Sequence, residues 1–260
     1  MLHYHKIGKG KPVVLVHGFP NDSSAWDSLL PLLSLDYQYI IPDLPGAGKS
    51  TPIENLDLKK MAQTILAILD KESIEKAIWT GHSMGGYTIM EATQHSPERI
   101  HAISLVHSLA SADSEEKKEA RRKSIKLLQN GESGKKVFLK AMAENLFAEE
   151  FKTQHPEAAA TVAAKGMELP ADTLAAFYNA IMLRSDKTNW LKTNSSIPMQ
   201  WIIGSEDNAT SMKEGLEQCH LGFLNEVNLY RNVGHMSMVE VPERLAKDLN
   251  RFFDFAWNRK

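Results

Sequence analysis

The stretch Ala77-Ile78-Trp79-Thr80-Gly81-His82-Ser83-Met84-Gly85-Gly86 constrains the fold more than any other. An apolar run rich in strand formers meets Gly-x-Ser-x-Gly, and a helix-compatible segment follows. That is the sequence form of a nucleophile elbow, a tight turn presenting a serine hydroxyl at the C-terminal edge of a sheet. The turn crowds its neighbours, so glycines at 81 and 85 remove side chains that would clash. The five-residue pattern alone is weak. Its position between a strand and a helix makes it testable.

The chain around it alternates to match. Residues 2–7 read as a short edge strand, ended by the turn Gly8 to Pro12. Val13-Val14-Leu15-Val16 is a continuous apolar run, as in a strand buried on both faces. His17-Gly18-Phe19-Pro20-Asn21-Asp22 is the loop after it, and Trp26 to Leu33 reads as a helix. Tyr37 to Pro42 is the next buried strand. Asp57 caps a helix running to Asp70, with Met61, Ile65, Ile68 and Leu69 on one face. The elbow strand, its helix and a strand from Ile100 to Val106 follow. This order implies a mostly parallel α/β sheet with helices on both faces.

The pattern then changes. From Ser111 to Ser196 no strand candidate occurs, and helical periods run through Glu115–Gln129, Lys135–Phe147, Pro156–Lys165 and Ala171–Leu183. Strand character returns at Met199–Ile203 and near Asn225–Tyr230, and Pro242 opens a last helix. The expected division is a core of residues 1–110 and 196–260 with a helical cap of residues 111–195. An insertion of roughly 85 residues exceeds any ordinary connection, and over this sheet edge it covers the place where ligands bind.

Composition narrows the partners. The 260 residues carry a net charge of -2, which supplies no basic surplus for a phosphate backbone, so no nucleic-acid partner is expected. Cys219 is the one cysteine, which excludes an internal disulfide. No leader-like segment and no membrane-length apolar stretch is found, so the expectation is a cytoplasmic protein, monomer or homodimer, with a small-molecule substrate.

Acyl chemistry needs a hydroxyl, a base, an acid to orient the base, and donors for the oxyanion. Ser83 is the hydroxyl. Among ten histidines, His235 is the candidate base: it follows Gly234 in a loop after the last strand. His82 adjoins Ser83, and side chains diverge on a tight turn, so it packs beside the elbow. His3 and His5 alternate on the edge strand without a carboxylate or cysteine pattern, so they are expected in solvent and no metal or other cofactor is expected. The orienting acid belongs between serine and histidine, after a strand. Asp207 in Gly204-Ser205-Glu206-Asp207 is the choice, Glu206 the fallback and Asp113 an alternative. The oxyanion donors are the backbone N–H groups of Phe19 and Met84. Phe177, Trp190, Met142 and Phe147 are candidates to line a substrate pocket, against plain helix packing for each. Gly46-Ala47-Gly48-Lys49-Ser50 ends like a phosphate-binding loop, but Asp43 stands where that motif needs a glycine. It reads as a structural turn, with Asp43 accepting backbone hydrogen bonds.

Together, His17-Gly18-Phe19-Pro20, Trp26, Asp43 to Ser50, Gly81 to Gly86, Gly204 to Asp207 and Gly234-His235 resemble the α/β-hydrolase superfamily, in the branch with a helical cap after the sixth strand. The resemblance implies Ser83 as nucleophile, Asp207 as acid, His235 as base, and a cis bond before Pro20. His-Gly-Phe-Pro and the cap resemble epoxide hydrolases and haloalkane dehalogenases, but those use an aspartate nucleophile. The cap's single tyrosine, Tyr178, also departs from the epoxide hydrolases' pair. With serine, the branch resembles carboxylesterases, carbon–carbon bond hydrolases and perhydrolase or haloperoxidase relatives. The expectation is a serine esterase of small substrates. The alternatives are carbon–carbon or perhydrolase chemistry on the same triad, and a non-catalytic receptor on the same fold.

Overall fold

A computed structural model describes residues 2–259. Seven strands form one sheet: β1 (Tyr4–Gly8), β2 (Lys11–Val16), β3 (Tyr37–Pro42), β4 (Ala77–His82), β5 (Ile100–Val106), β6 (Met199–Gly204) and β7 (Asn225–Tyr230). Their spatial order is β1-β3-β2-β4-β5-β6-β7. Only β1 runs antiparallel, against β3. The apolar runs are buried on both faces, as read from the sequence. Val14, Val16, Ile40, Trp79, Ile103 and Leu105 enter one core, whereas Val13, Leu15, Tyr39, Ile41, Ile78 and Val106 enter the other. Alternate side chains of a strand point to opposite faces, so each strand holds both layers together.

Helix α1 (Leu58–Lys71) lays Met61, Ile65, Ile68 and Leu69 on the first core, and Asp57 caps it by accepting from Lys60 N. Helix α2 (Met84–His95) starts at the elbow. The last long helix, Pro242–Asn258, buries Leu245, Leu249, Phe252, Phe253 and Ala256 against the second core. The helix expected from Trp26 to Leu33 is instead two short 3-10 turns, Ser23–Trp26 and Leu30–Leu32. Pro31 sits in the second, and its missing N–H and ring do not allow an α-helix to run through from Trp26.

Between β5 and β6 run α3 (Glu115–Leu128), α4 (Gly131–Glu144), α5 (Glu149–Gln154), α6 (Glu157–Met167), α7 (Ala171–Met182) and α8 (Thr188–Thr193). The insertion thus leaves this sheet after its fifth strand, the count of strands given by the residues themselves. Helices α5 and α8 have six residues each, too few for a helical period to show in the sequence. Two further short helices, α9 (Met212–Gln218) and α10 (Ser237–Glu240), precede the last helix, α11. No described helix is long and apolar enough to cross a membrane.

The topology brings two distant loops together. β2 pairs with β3 on one side and with β4 on the other, with Val16 opposite Gly81. The chain reverses its direction of winding between β2 and β4, which opens a crevice at the C-terminal strand ends. The loop after β2 carries Phe19, and the turn after β4 carries Ser83.

Candidate active site

Ser83 stands at the N-cap of α2 with φ +50° and ψ -116°, a conformation that L-residues rarely adopt. Hydrogen bonds hold it there. Its N–H donates to Val106 O at 3.0 Å, and its carbonyl accepts from Ser108 Oγ at 2.8 Å and Gly86 N at 2.9 Å. The flanking glycines answer to close approach: a Cβ at 81 would lie 2.5 Å from the Gly85 carbonyl carbon, and one at 85 would lie 2.3 Å from Val16 O.

Asp207 follows β6 and is buried. Its Oδ2 accepts from His235 Nδ1 at 2.8 Å, His107 Nδ1 at 3.0 Å and Thr210 Oγ1 at 2.7 Å. Its Oδ1 accepts from Ala209 N and Thr210 N, both at 2.8 Å. Burial alone would push this carboxyl's pKa up, but the His235 and His107 imidazoles outweigh it and hold it well below the usual carboxylate range. Asp207 is therefore an ionised acceptor, so each imidazole carries its proton on Nδ1 and His235 keeps a lone pair on Nε2.

The alternatives to Asp207 lie elsewhere. Glu206 accepts from Glu149 N at 3.1 Å. Asp113 is paired with Arg121 at 2.6 Å and Arg184 at 2.9 Å.

Ser83 and His235 line one cavity of about 80 Å³, together with Phe19, Tyr87, Arg121, Met142, Leu146, Tyr178, Ile181 and Ala209. Among the described residues, no hydrogen bond joins Ser83 Oγ to His235, a looseness common to unliganded sites. Larger clefts, one of about 570 Å³ beside Leu69 and Arg99, do not contain Ser83. Phe19 N and Met84 N donate to no protein acceptor among the described residues, and Met84 N is the first N–H of α2. The Phe19-Pro20 bond is cis.

Of the four residues expected to line a pocket, Met142 does. Phe177 is fully buried in the first core and Phe147 almost fully in the second, stacked on Phe151. Trp190 packs half-buried against the first core. Tyr178, one residue beyond Phe177, takes the place at the cavity and lies 4.7 Å from the Phe19 ring.

The other expectations place similarly. His82 is buried beside the elbow, and its Nε2 donates to His235 O at 2.9 Å. Burial, with the neighbouring His235 and His107, holds its pKa well below the usual histidine value. His3 is not free in solvent: its Nδ1 bonds Asp43 at 2.8 Å, whereas His5 is exposed. Asp43 also accepts from Ser23 N and Lys49 N, both at 2.9 Å, so the glycine-rich turn closes on this carboxylate. His107, Asp207 and His235 gather within 4.8 Å, a cluster of metal-ligand type. The two Nδ1 atoms and the carboxylate are already committed to one another.

Residues 11–242 match the model of the family described as the alpha/beta hydrolase fold. The chain belongs to the α/β hydrolase fold family. Among α/β hydrolases it is similar to the 3-oxoadipate enol-lactonase 1 of Acinetobacter baylyi, at 27% identity over 92% of this chain and 87% of that one. It is similar to the pimeloyl-[acyl-carrier protein] methyl ester esterase of Edwardsiella ictaluri, at 34% identity over 41% of this chain and 40% of that one. The matched stretch thus spans less than half the length of several curated relatives. A solved thermophilic esterase from Thermogutta terrifontis, with malate bound, superposes with a TM-score of 0.91 at 26% identity, covering 98% of this chain and 93% of that one.

Two residues of this α/β hydrolase site escaped the sequence reading. His107, just after β5 at φ +49°, shares the Asp207 oxygen with His235. Glu240 of α10 accepts from Gly234 N, Met236 N and Ala148 N at 3.0–3.1 Å, which ties the His235 loop to the insertion. A carboxylate five residues after His235 in a four-residue helix carries no signal in sequence alone. A histidine just past a strand end was the available hint for His107.

Proposed function

We propose that the chain is a serine hydrolase of small carboxylic esters, lactones included, acting through an acyl-enzyme on Ser83. His235 Nε2 takes the Ser83 proton as Oγ attacks the substrate carbonyl carbon. The N–H groups of Phe19 and Met84 stabilise the oxyanion, helped at Met84 by the N-terminal end of the α2 dipole. His235 then gives the proton to the leaving oxygen, and a water activated by the same Nε2 releases the acid. Asp207 holds His235 in the tautomer that keeps Nε2 free.

One observation carries this reading: a strained serine shares a small cavity with a histidine whose other nitrogen donates to a buried, ionised aspartate. The cavity of about 80 Å³ is well below the ~300–1,000 Å³ of drug-sized sites, which favours short acyl groups. The enol-lactonase, similar over nearly the whole chain, and the methyl ester esterase support esters and lactones as the substrate class.

The test is labelling by a fluorophosphonate together with turnover of p-nitrophenyl acetate and butyrate. Ser83→Ala should abolish both. Folded wild-type protein that shows neither labelling nor turnover refutes the proposal and leaves a non-catalytic binding protein on the same fold.

A further inference from the structure

We propose that the cavity beside Ser83 takes substrates bearing a free carboxylate, with Arg121 as the residue that binds it. The inference rests on the hydrolase reading above. Arg121 reaches the cavity from α3, in the insertion. Its Nε donates to Asp113 Oδ2 at 2.6 Å, and its guanidinium lies 5.1 Å from the centre of the Tyr178 ring. A guanidinium has five N–H donors; beyond Asp113 the Tyr178 hydroxyl is the one further acceptor of Arg121 among the described residues, which leaves part of the fork open.

The arginine beside it shows what a filled one looks like. Arg184 pairs with the other oxygen of Asp113 at 2.9 Å, donates to Ser111 O at 2.9 Å and Ile181 O at 3.0 Å, and lies 4.2 Å from the Tyr87 ring centre. Asp113 therefore faces two guanidinium groups with a single negative charge. Arg184 is the structural partner, and the open fork belongs to Arg121.

No aspartate or glutamate lines the cavity to neutralise that fork. Asp207 sits behind His235, and its oxygens are taken by five donors. A partly buried charge with open donors facing a cavity favours an anion. The planar fork matches a carboxylate, and one surplus positive charge matches a monoanion better than a phosphate dianion. Tyr87 and Tyr178 line the same space, and burial pushes both hydroxyl pKa values up, so each stays protonated.

The carboxylate can sit on the acyl or the alcohol part of the ester, and two substrate series separate these. Monomethyl succinate, glutarate and adipate carry it on the acyl part, and O-acetylglycolic acid carries it on the alcohol part. Each is compared with its neutral carboxamide, by proton release in a pH-stat. A hydrogen-bonded charge partner implies that kcat/KM favours the acid by about 10- to 100-fold in one series. Arg121→Gln should bring that ratio down towards one, and Arg121→Lys should restore it only in part, because lysine keeps the charge without the fork.

Amides hydrolysed as fast as the acids, or faster, in both series overturn the carboxylate proposal and leave the hydrolase reading standing. Absence of turnover for every ester and of fluorophosphonate labelling overturns both. Arg121 also pairs with Asp113, so a variant that fails to fold is replaced by inhibition of wild-type p-nitrophenyl acetate hydrolysis. There glutarate should compete at least about tenfold better than glutaramide, and equal inhibition overturns the proposal.

Discussion

Asp207→Asn tests how the buried carboxylate sets the state of His235. The two oxygens of Asp207 face donors of different kinds. Oδ1 accepts from two backbone N–H groups, Ala209 and Thr210, which cannot reverse their polarity. Oδ2 accepts from two imidazoles and a hydroxyl, all of which can reverse, the rings by changing tautomer and the hydroxyl by rotating. An asparagine therefore seats its carbonyl at the Oδ1 position and its NH2 at the Oδ2 position. The NH2 donates to His235 Nδ1, and the ring proton moves to Nε2, the atom that accepts from Ser83 in the proposed mechanism.

The expected loss in kcat is about 10³- to 10⁴-fold, the scale seen when a triad histidine is held in the wrong tautomer. The fold should survive. The fixed backbone donors keep their acceptor, and the chief structural cost falls on His107, whose buried Nε2 has no partner and would gain a proton. One unpaired buried donor costs about 1–3 kcal/mol, or roughly 2–12 °C in Tm for a chain of this size. The assays are p-nitrophenyl butyrate turnover, thermal unfolding, and ¹⁵N shifts of the histidine rings. A folded variant within tenfold of wild-type kcat, or one whose His235 still carries its proton on Nδ1, refutes the reasoning.

Other consequences can be measured separately. Ser83→Gly should abolish turnover yet raise stability by about 1 kcal/mol, because glycine adopts φ near +50° without strain; an unchanged or lower Tm would argue against strain at the elbow. Glu240→Leu leaves the N–H groups of Gly234, Met236 and Ala148 without their acceptor and should cost at least about 3 kcal/mol in urea unfolding, with a parallel loss of kcat as the His235 loop loosens. His17 and His82 both have folded pKa values below the unfolded value, each chiefly from burial. The unfolded chain then binds more protons than the folded one, so stability is full above about pH 6.5 and falls as the pH drops, by up to about 1.4 kcal/mol per unit for each histidine. Urea midpoints that stay flat from pH 7 to 5 would show that these rings accept protons in the folded protein.

The sheet was legible because its code is short-range. Val13 to Val16 has no polar residue to expose, and only a strand covered on both faces suits it. Met61, Ile65, Ile68 and Leu69 repeat at the helical period and face one core. The relation of Ser83, Asp207 and His235 followed from chain order, since each had to sit in a loop after a strand. The lining of the cavity did not follow. Phe177 and Tyr178 are neighbours on α7, about 100° apart around its axis, and the apolar residues of that helix serve both a core and a cavity. Sequence gives no means of choosing between the two faces. Arg121 lies in the charged run Glu115 to Lys126, where its neighbours are solvated and nothing marks it as different. What singles it out is Asp113, and that contact exists only once α3 is packed.

The pairing of β5 with β6 bears on how such a chain changes over evolutionary time. Ile103 to Val106 bond Met199 to Ile202 directly, so the sheet fixes both ends of everything between Val106 and Met199. The entropy of closing that connection grows only with the logarithm of its length. Extending it from a dozen residues to roughly ninety costs about 2 kcal/mol, which packing within the inserted helices can offset. Ser83, Asp207 and His235 all lie outside the interval, while Arg121, Met142 and Tyr178 lie inside it. On the proposed function, exchanging the connection as a cassette would leave Ser83, Asp207 and His235 with the recipient sheet and replace the part of the cavity lining that the helices supply.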